Sequence, residues 1–114
     1  MPVGVGPQIA FPQAGGIEAW DTADKAAAWT AQLVTSAAAG VVTVKTTKGF
    51  VARIKTDHGN VSTVTVQLQD GGTAIWDMLL GPDVEENWNS APVVCSTSIQ
   101  LNFSAAGSCW IVYQ

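Results

Sequence analysis

The residues able to do chemistry in this chain are few. The only histidine, His58, lies in Asp57-His58-Gly59-Asn60. An aspartate beside a histidine suggests a catalytic triad. Neighbours on a turn, however, do not orient an imidazole toward a nucleophile, so an exposed turn histidine is expected. Cys95 and Cys109 are the two cysteines. Their spacing makes neither a metal motif nor a redox CxxC. Neither has a cation close in sequence to lower its thiol pKa. Core packing is expected for both, with a Cys95–Cys109 disulfide as the alternative.

Asp83, Glu85 and Glu86 gather in one stretch with Asn87 and Asn89. Calcium takes several oxygens from one flexible loop, but the central glycine of a calcium loop is missing. A solvated acidic loop is expected, with no metal. Nothing marks the cleft and the carboxylic acid of raised pKa that a glycosidase needs. No catalytic residue, no cofactor and no enzymatic activity are expected. The five tryptophans are Trp20, Trp29, Trp76, Trp88 and Trp110. Trp76 and Trp110 fall in strand patterns. Trp20 and Trp88 are expected to be more exposed, with ordinary packing, burial at an interface or stacking on a sugar as the readings. Asp83, Glu85, Glu86 and Trp88 together form a candidate surface-binding loop.

These groups must be positioned by one domain of 114 residues, long enough to bury a core without metal or disulfide. Apolar residues make up 47% and charged residues 12%, about half the usual ~25% charge. Such a surface is either rich in Thr, Ser and Gln or largely turned toward other subunits. The net charge is −4. Four of the five bases lie between Lys45 and Lys55, alternating with apolar residues. An acidic chain with one modest basic stripe makes nucleic acid an improbable partner. No stretch is apolar and long enough to span a membrane, and no secretory signal is evident at the start.

Residues 1–16 hold Pro2, Pro7 and Pro12 and four glycines, a density that resists helix and central strand alike. They also carry Val3, Val5, Ile9 and Phe11. An extended arm is expected that docks these residues, with Trp20, on a neighbouring subunit or another protein surface, with a frayed terminus as the alternative. Residues 17–40 form a connecting segment with two readings. Asp21 or Thr22 can cap a short helix through DKAAAWTAQL, which is favoured, or AWTAQLVTS can begin a strand.

From 41 to 114 the signal is β. VVTVKTT is rich in β-branched residues, and Lys48-Gly49 can turn the chain. FVARIKT places Phe50, Ala52 and Ile54 on one face and Val51, Arg53 and Lys55 on the other. Residues 57–60 form a turn. Val64, Val66 and Leu68 alternate with polar residues at period two. A three-residue loop at Asp70-Gly71-Gly72 would set Leu68 against Ala74, Val66 against Trp76 and Val64 against Met78. Residues 81–92 read as a loop. A last hairpin around 105–107 would set Phe103 opposite Cys109 and Leu101 opposite Ile111, with the final strand inside a sheet. Short strands separated by turns predict a sandwich or small barrel.

The runs TKGFVARIKT, GNVSTVTVQLQDGGTAIWDMLL and SIQLNFSAAGSCWIVYQ resemble a pattern in head decoration and head-fibre proteins of tailed phages. The shared features are Gly49 to Ile54, the Thr/Val strand from Val64 to Gly71, and Ile111 to Tyr113. The resemblance spans about residues 41–114. It implies an all-β, jelly-roll-like antiparallel sandwich, a homotrimer, and attachment to the major capsid protein on the virion surface, after synthesis in the host cytoplasm. The acidic stretch at 81–92 is longer than that pattern predicts. A sugar-binding sandwich for host-receptor attachment is the alternative.

Overall fold

A computed structural model describes residues 29–114. Ten strands run through them: β1 (Thr30–Ser36), β2 (Gly40–Lys45), β3 (Gly49–Thr56), β4 (Thr65–Asp70), β5 (Thr73–Ala74), β6 (Leu79–Leu80), β7 (Glu85–Asn87), β8 (Val93–Cys95), β9 (Ile99–Phe103) and β10 (Gly107–Tyr113). All pairings are antiparallel, in two five-stranded sheets. The first sheet runs β1-β10-β3-β7, with β8 also on β3. The second runs β2-β9-β4-β5, with β6 also on β4. The all-β expectation holds. The proposed arm, with Val3, Val5, Ile9, Phe11 and Trp20, lies outside the described residues, as do Asp21 and Thr22.

The short helix favoured over DKAAAWTAQL is overturned for its described part. Thr30 to Ser36 is instead a strand, and no helix occurs among the described residues. The competing strand reading of AWTAQLVTS was the right one. Local helix propensity is a weak prior. Here β1 pairs along its whole length with β10, from Thr30↔Tyr113 to Ser36↔Gly107.

The core follows from alternation. Val34, Cys109 and Thr56 share one cross-strand row of the first sheet, and Ile111 and Ile54 share the next. Facing them from the second sheet are Val66, Leu68, Leu101 and Phe103. Each aliphatic side chain buried this fully contributes roughly 1.5–3 kcal/mol. β3 departs from simple alternation. Val112 pairs with Arg53 but Tyr113 pairs with Val51, so Ala52 is an extra residue. That bulge turns Val51 into the core beside Ile54. Phe50, Val51, Ala52 and Ile54 are all buried, which corrects the expected placement of Val51 with Arg53 and Lys55.

Both expected hairpin registers are corrected. At Asp70 the loop is two residues, Gly71 and Gly72, because Asp70 pairs with Thr73 and Gln69 with Ala74. Both glycines have positive φ, 57° and 89°, as a type I′ turn requires. The returning chain then gains two residues, since Val66 pairs with Leu79 and Thr65 with Leu80. The second expected hairpin is no hairpin. β9 and β10 lie in different sheets, so residues 104–106 arch across the sandwich. Phe103 and Cys109 do meet in one core, but as residues of facing sheets. β10 sits inside its sheet, between β1 and β3, as expected. The segments β1–β2 and β2–β3 also change sheets.

Candidate interaction surfaces

The outer face of the first sheet is set by the same alternation that fills the core. With Cys109 and Ile111 turned inward, Trp110 and Val112 turn outward. The cross-strand row through Trp110 reads Leu33, Trp110, Lys55, Glu85. The row through Val112 reads Ala31, Val112, Arg53, Asn87. Arg53 Nε lies 2.7 Å from Glu85 Oε2. Leu33 and Trp110 remain 40% and 45% exposed. An apolar patch with an indole at its centre and an arginine at its border has the composition of a protein-contact surface.

A second surface comes from the two extra residues after β5. Ile75 N still donates to Leu68 O at 3.1 Å. The chain then bows away until Leu79 rejoins β4. Gln67 Nε2 bridges the gap by donating to Trp76 O at 3.2 Å. The bulge leaves Trp76 and Met78 exposed, and Leu80 at the end of β6 is exposed as well. Trp76 meets Trp88 edge to face, centroids 4.9 Å apart at 80°, a favoured aromatic geometry. Gln67, Ala74, Ile75, Trp76 and Asp77 line a shallow cleft there. Bulges of this kind re-aim side chains.

The residues singled out from the 81–92 stretch are spread over different environments. Glu85 and Glu86 belong to β7, so this stretch is not wholly a loop. Glu85 faces Arg53 on the outer surface. Glu86 pairs with Ile54. Asp83 has φ 57°, and its Oδ2 lies 2.6 Å from Nδ1 of His58. Trp88 packs against the core, and its Nε1 is buried without an acceptor among the described residues. The residue as a whole is partly buried, with Trp76 against its ring.

His58 is a turn residue whose side chain is 90% exposed. Its partner is Asp83, not Asp57. The hydrogen bond and charge of Asp83 push its pKa above the usual histidine value. Cys95 and Cys109 are buried free thiols, with both pKa values pushed up to about 12 by burial. No group of three or more His, Cys, Asp or Glu converges among the described residues.

Sequence reasoning passed over Asp70 except as part of a turn. Its Oδ2 accepts from Ser96 N and Oγ at 2.9 and 3.0 Å. Its Oδ1 accepts from Thr97 N at 2.8 Å and Ser98 N at 3.2 Å. One carboxylate thus fixes the β8–β9 connection to the β4–β5 turn. Only the polar run Ser96-Thr97-Ser98 hinted at it. Leu33 was missed because it fell in the helical reading. Trp110 was legible as outward-facing from its place between Cys109 and Ile111.

No family model, curated protein or solved structure matches this chain.

Proposed function

We propose that this chain is a structural protein of a phage virion, decorating or cementing the capsid surface by binding the major capsid protein. One observation carries this reading: besides Val41 and Val61, the sandwich exposes Leu33 with Trp110 on the first sheet and Trp76, Met78 and Leu80 along the β5–β6 side of the second. A protein that works by contact needs such surfaces. The resemblance of residues 41–114 to tailed-phage head proteins supplies the particular partner, and a jelly-roll-like connection of the strands belongs to the same reading. The apolar residues of the first 16 positions would add a second contact to the lattice.

The test is binding to capsids assembled without this protein. Trp76→Ser with Met78→Ser should weaken binding at least about tenfold, the effect of losing one interface anchor. Deleting residues 2–16 should weaken it further. Binding untouched by both changes would remove the reading.

A carbohydrate-binding role is the second reading, and the Trp76 cleft favours it. An indole beside the Gln67 amide and the Asp77 carboxylate offers a flat apolar face with hydrogen-bonding groups at its rim. A glycan array probed with wild type and Trp76→Ala separates the two. Saturable binding that is lost in the variant supports carbohydrate, and its absence leaves the capsid reading alone.

A further inference from the structure

The two flanks of the sandwich are built differently. On one flank the sheets end in β5, β6, β7 and β8, strands of two or three residues. That flank also carries the 76–78 bulge, Glu85 and Glu86. Short strands, bulges and charges are the usual devices that keep a sheet edge from pairing with another chain. On the other flank the first sheet ends in β1 and the second in β2. β1 is seven residues long, TAQLVTS, with no charge, no proline and no bulge along its pairing with β10. β2 carries only Lys45 at its end. Among the described residues neither outer edge is paired.

We infer that the β1 edge pairs with β1 of a second copy of this chain, antiparallel across a twofold axis at Leu33. Self-pairing is favoured because β1 is uncharged, so no like charges meet. The axis sets Leu33 beside Leu33 of the other copy, and Ala31 beside Thr35. On the outer face the row then runs Trp110, Leu33, Leu33, Trp110 through the two copies, joining two half-exposed patches into one apolar strip. A twofold contact is closed. It uses up the edge in both copies instead of propagating a fibre.

The available area suffices. A seven-residue strand is about 23 Å long, and two sheets with their side chains are about 20 Å deep. The flank therefore offers on the order of 500 Å² per copy, or about 1,000 Å² in total, the lower bound for a specific interface. β2 lies on the same flank, joined to β1 by residues 37–39, and is covered along with it. This inference is independent of the capsid reading, and it predicts an even number of subunits where the phage resemblance implies three.

Sedimentation of the full chain tests it. Wild type should show twice the 11.9 kDa chain mass. Leu33→Lys and Leu33→Glu should each halve that mass, and an equimolar mixture of the two should restore it. Leu33→Cys, oxidised, should give a covalent dimer. Neighbouring Cα atoms in such a pair lie about 4.5–5.5 Å apart, within reach of a disulfide. Thr35→Cys alone should not cross-link, but should do so when mixed with Ala31→Cys. A monomer at every concentration, a trimer, or a dimer indifferent to charge at position 33 would overturn the inference. The cysteine pairs decide the matter even where a charged variant folds poorly.

Discussion

Asp70 shows how much one carboxylate organises. Partial burial disfavours its charge, but the N–H groups of Thr97, Ser96 and Ser98 and the Ser96 hydroxyl outweigh that and hold its pKa below the usual value. A depressed carboxylate pKa adds stability above the unfolded value of about 3.9. That stability is lost as the pH falls through the folded pKa. Asp70→Asn should therefore destabilise by about 1 kcal/mol at pH 7, since solvent reaching this carboxylate weakens its hydrogen bonds and Asn keeps one accepting oxygen. Urea unfolding of wild type and variant should converge in acid, below both pKa values. Trp88 makes the opposite case. Its buried indole N–H lacks an acceptor among the described residues, and such a group costs about 1–3 kcal/mol to bury unmet. Trp88→Phe should then be close to neutral in thermal unfolding, whereas Trp88→Ala should cost about 3–5 kcal/mol. The cysteines, with pKa values of about 12, should resist a thiol reagent in the folded protein and both react in denaturant. Their burial was legible from strand alternation alone. The packing of Trp88 was not, because one of its neighbours is Trp76, from the bulge between β5 and β6.

At the scale of elements, strands were more legible than their partners. The alternation in β4 and β9 fixed which side chains face inward, whatever those strands pair with. Partner choice depends on where the chain goes after each turn. Side-chain chemistry cannot distinguish a hairpin from an arch, because Phe103 and Cys109 reach the same core either way. The Asp70 register failed for a different reason. It assumed that every apolar residue after the turn is buried, while the bulge exposes Trp76 and Met78. Such a break between local pattern and structure is where a working surface is expected. β1 was hidden by its alanine-rich approach, since propensity there favoured helix and tertiary pairing decided otherwise. The β2–β3 arch has a sharp requirement of its own. A Cβ at Gly49 would collide with the Gln114 carbonyl and the Ile99 side chain. Gly49→Ala should cost about 1–3 kcal/mol, as overpacking does, measured by chemical denaturation.

At the scale of the whole molecule, composition left two surfaces open, one rich in Thr, Ser and Gln and one turned toward other subunits. A chain with 12% charge builds a sandwich that exposes Leu33 beside Trp110 and Trp76 with Met78 and Leu80, and also Val41 and Val61. The grouping itself was invisible in sequence, since Leu33 and Trp110 are far apart in the chain and adjacent in the sheet. The acidic stretch also changed meaning. Two of its carboxylates are tied up with basic side chains, Glu85 with Arg53 and Asp83 with His58. The His58 pairing has a pH signature of its own. A raised histidine pKa favours the folded state below the unfolded value of about 6.5. The contribution fades as pH rises through the folded pKa.

The placement of β10 between β1 and β3 governs how the molecule comes into being. Until residues 107–113 are synthesised, β1 and β3 have no strand between them, and one side of the sandwich stays open. The pairing of β4 with β5 and β6 can form early, since it is local. The other sheet contacts join distant parts of the chain, a topology that folds in milliseconds to seconds rather than microseconds. The nascent chain must therefore hold an uncharged β1 unpaired while most of the protein is made, which is when it is most open to wrong partners. A version lacking residues 107–114 should fail to fold and should collect in the insoluble fraction, while the full chain stays dispersed.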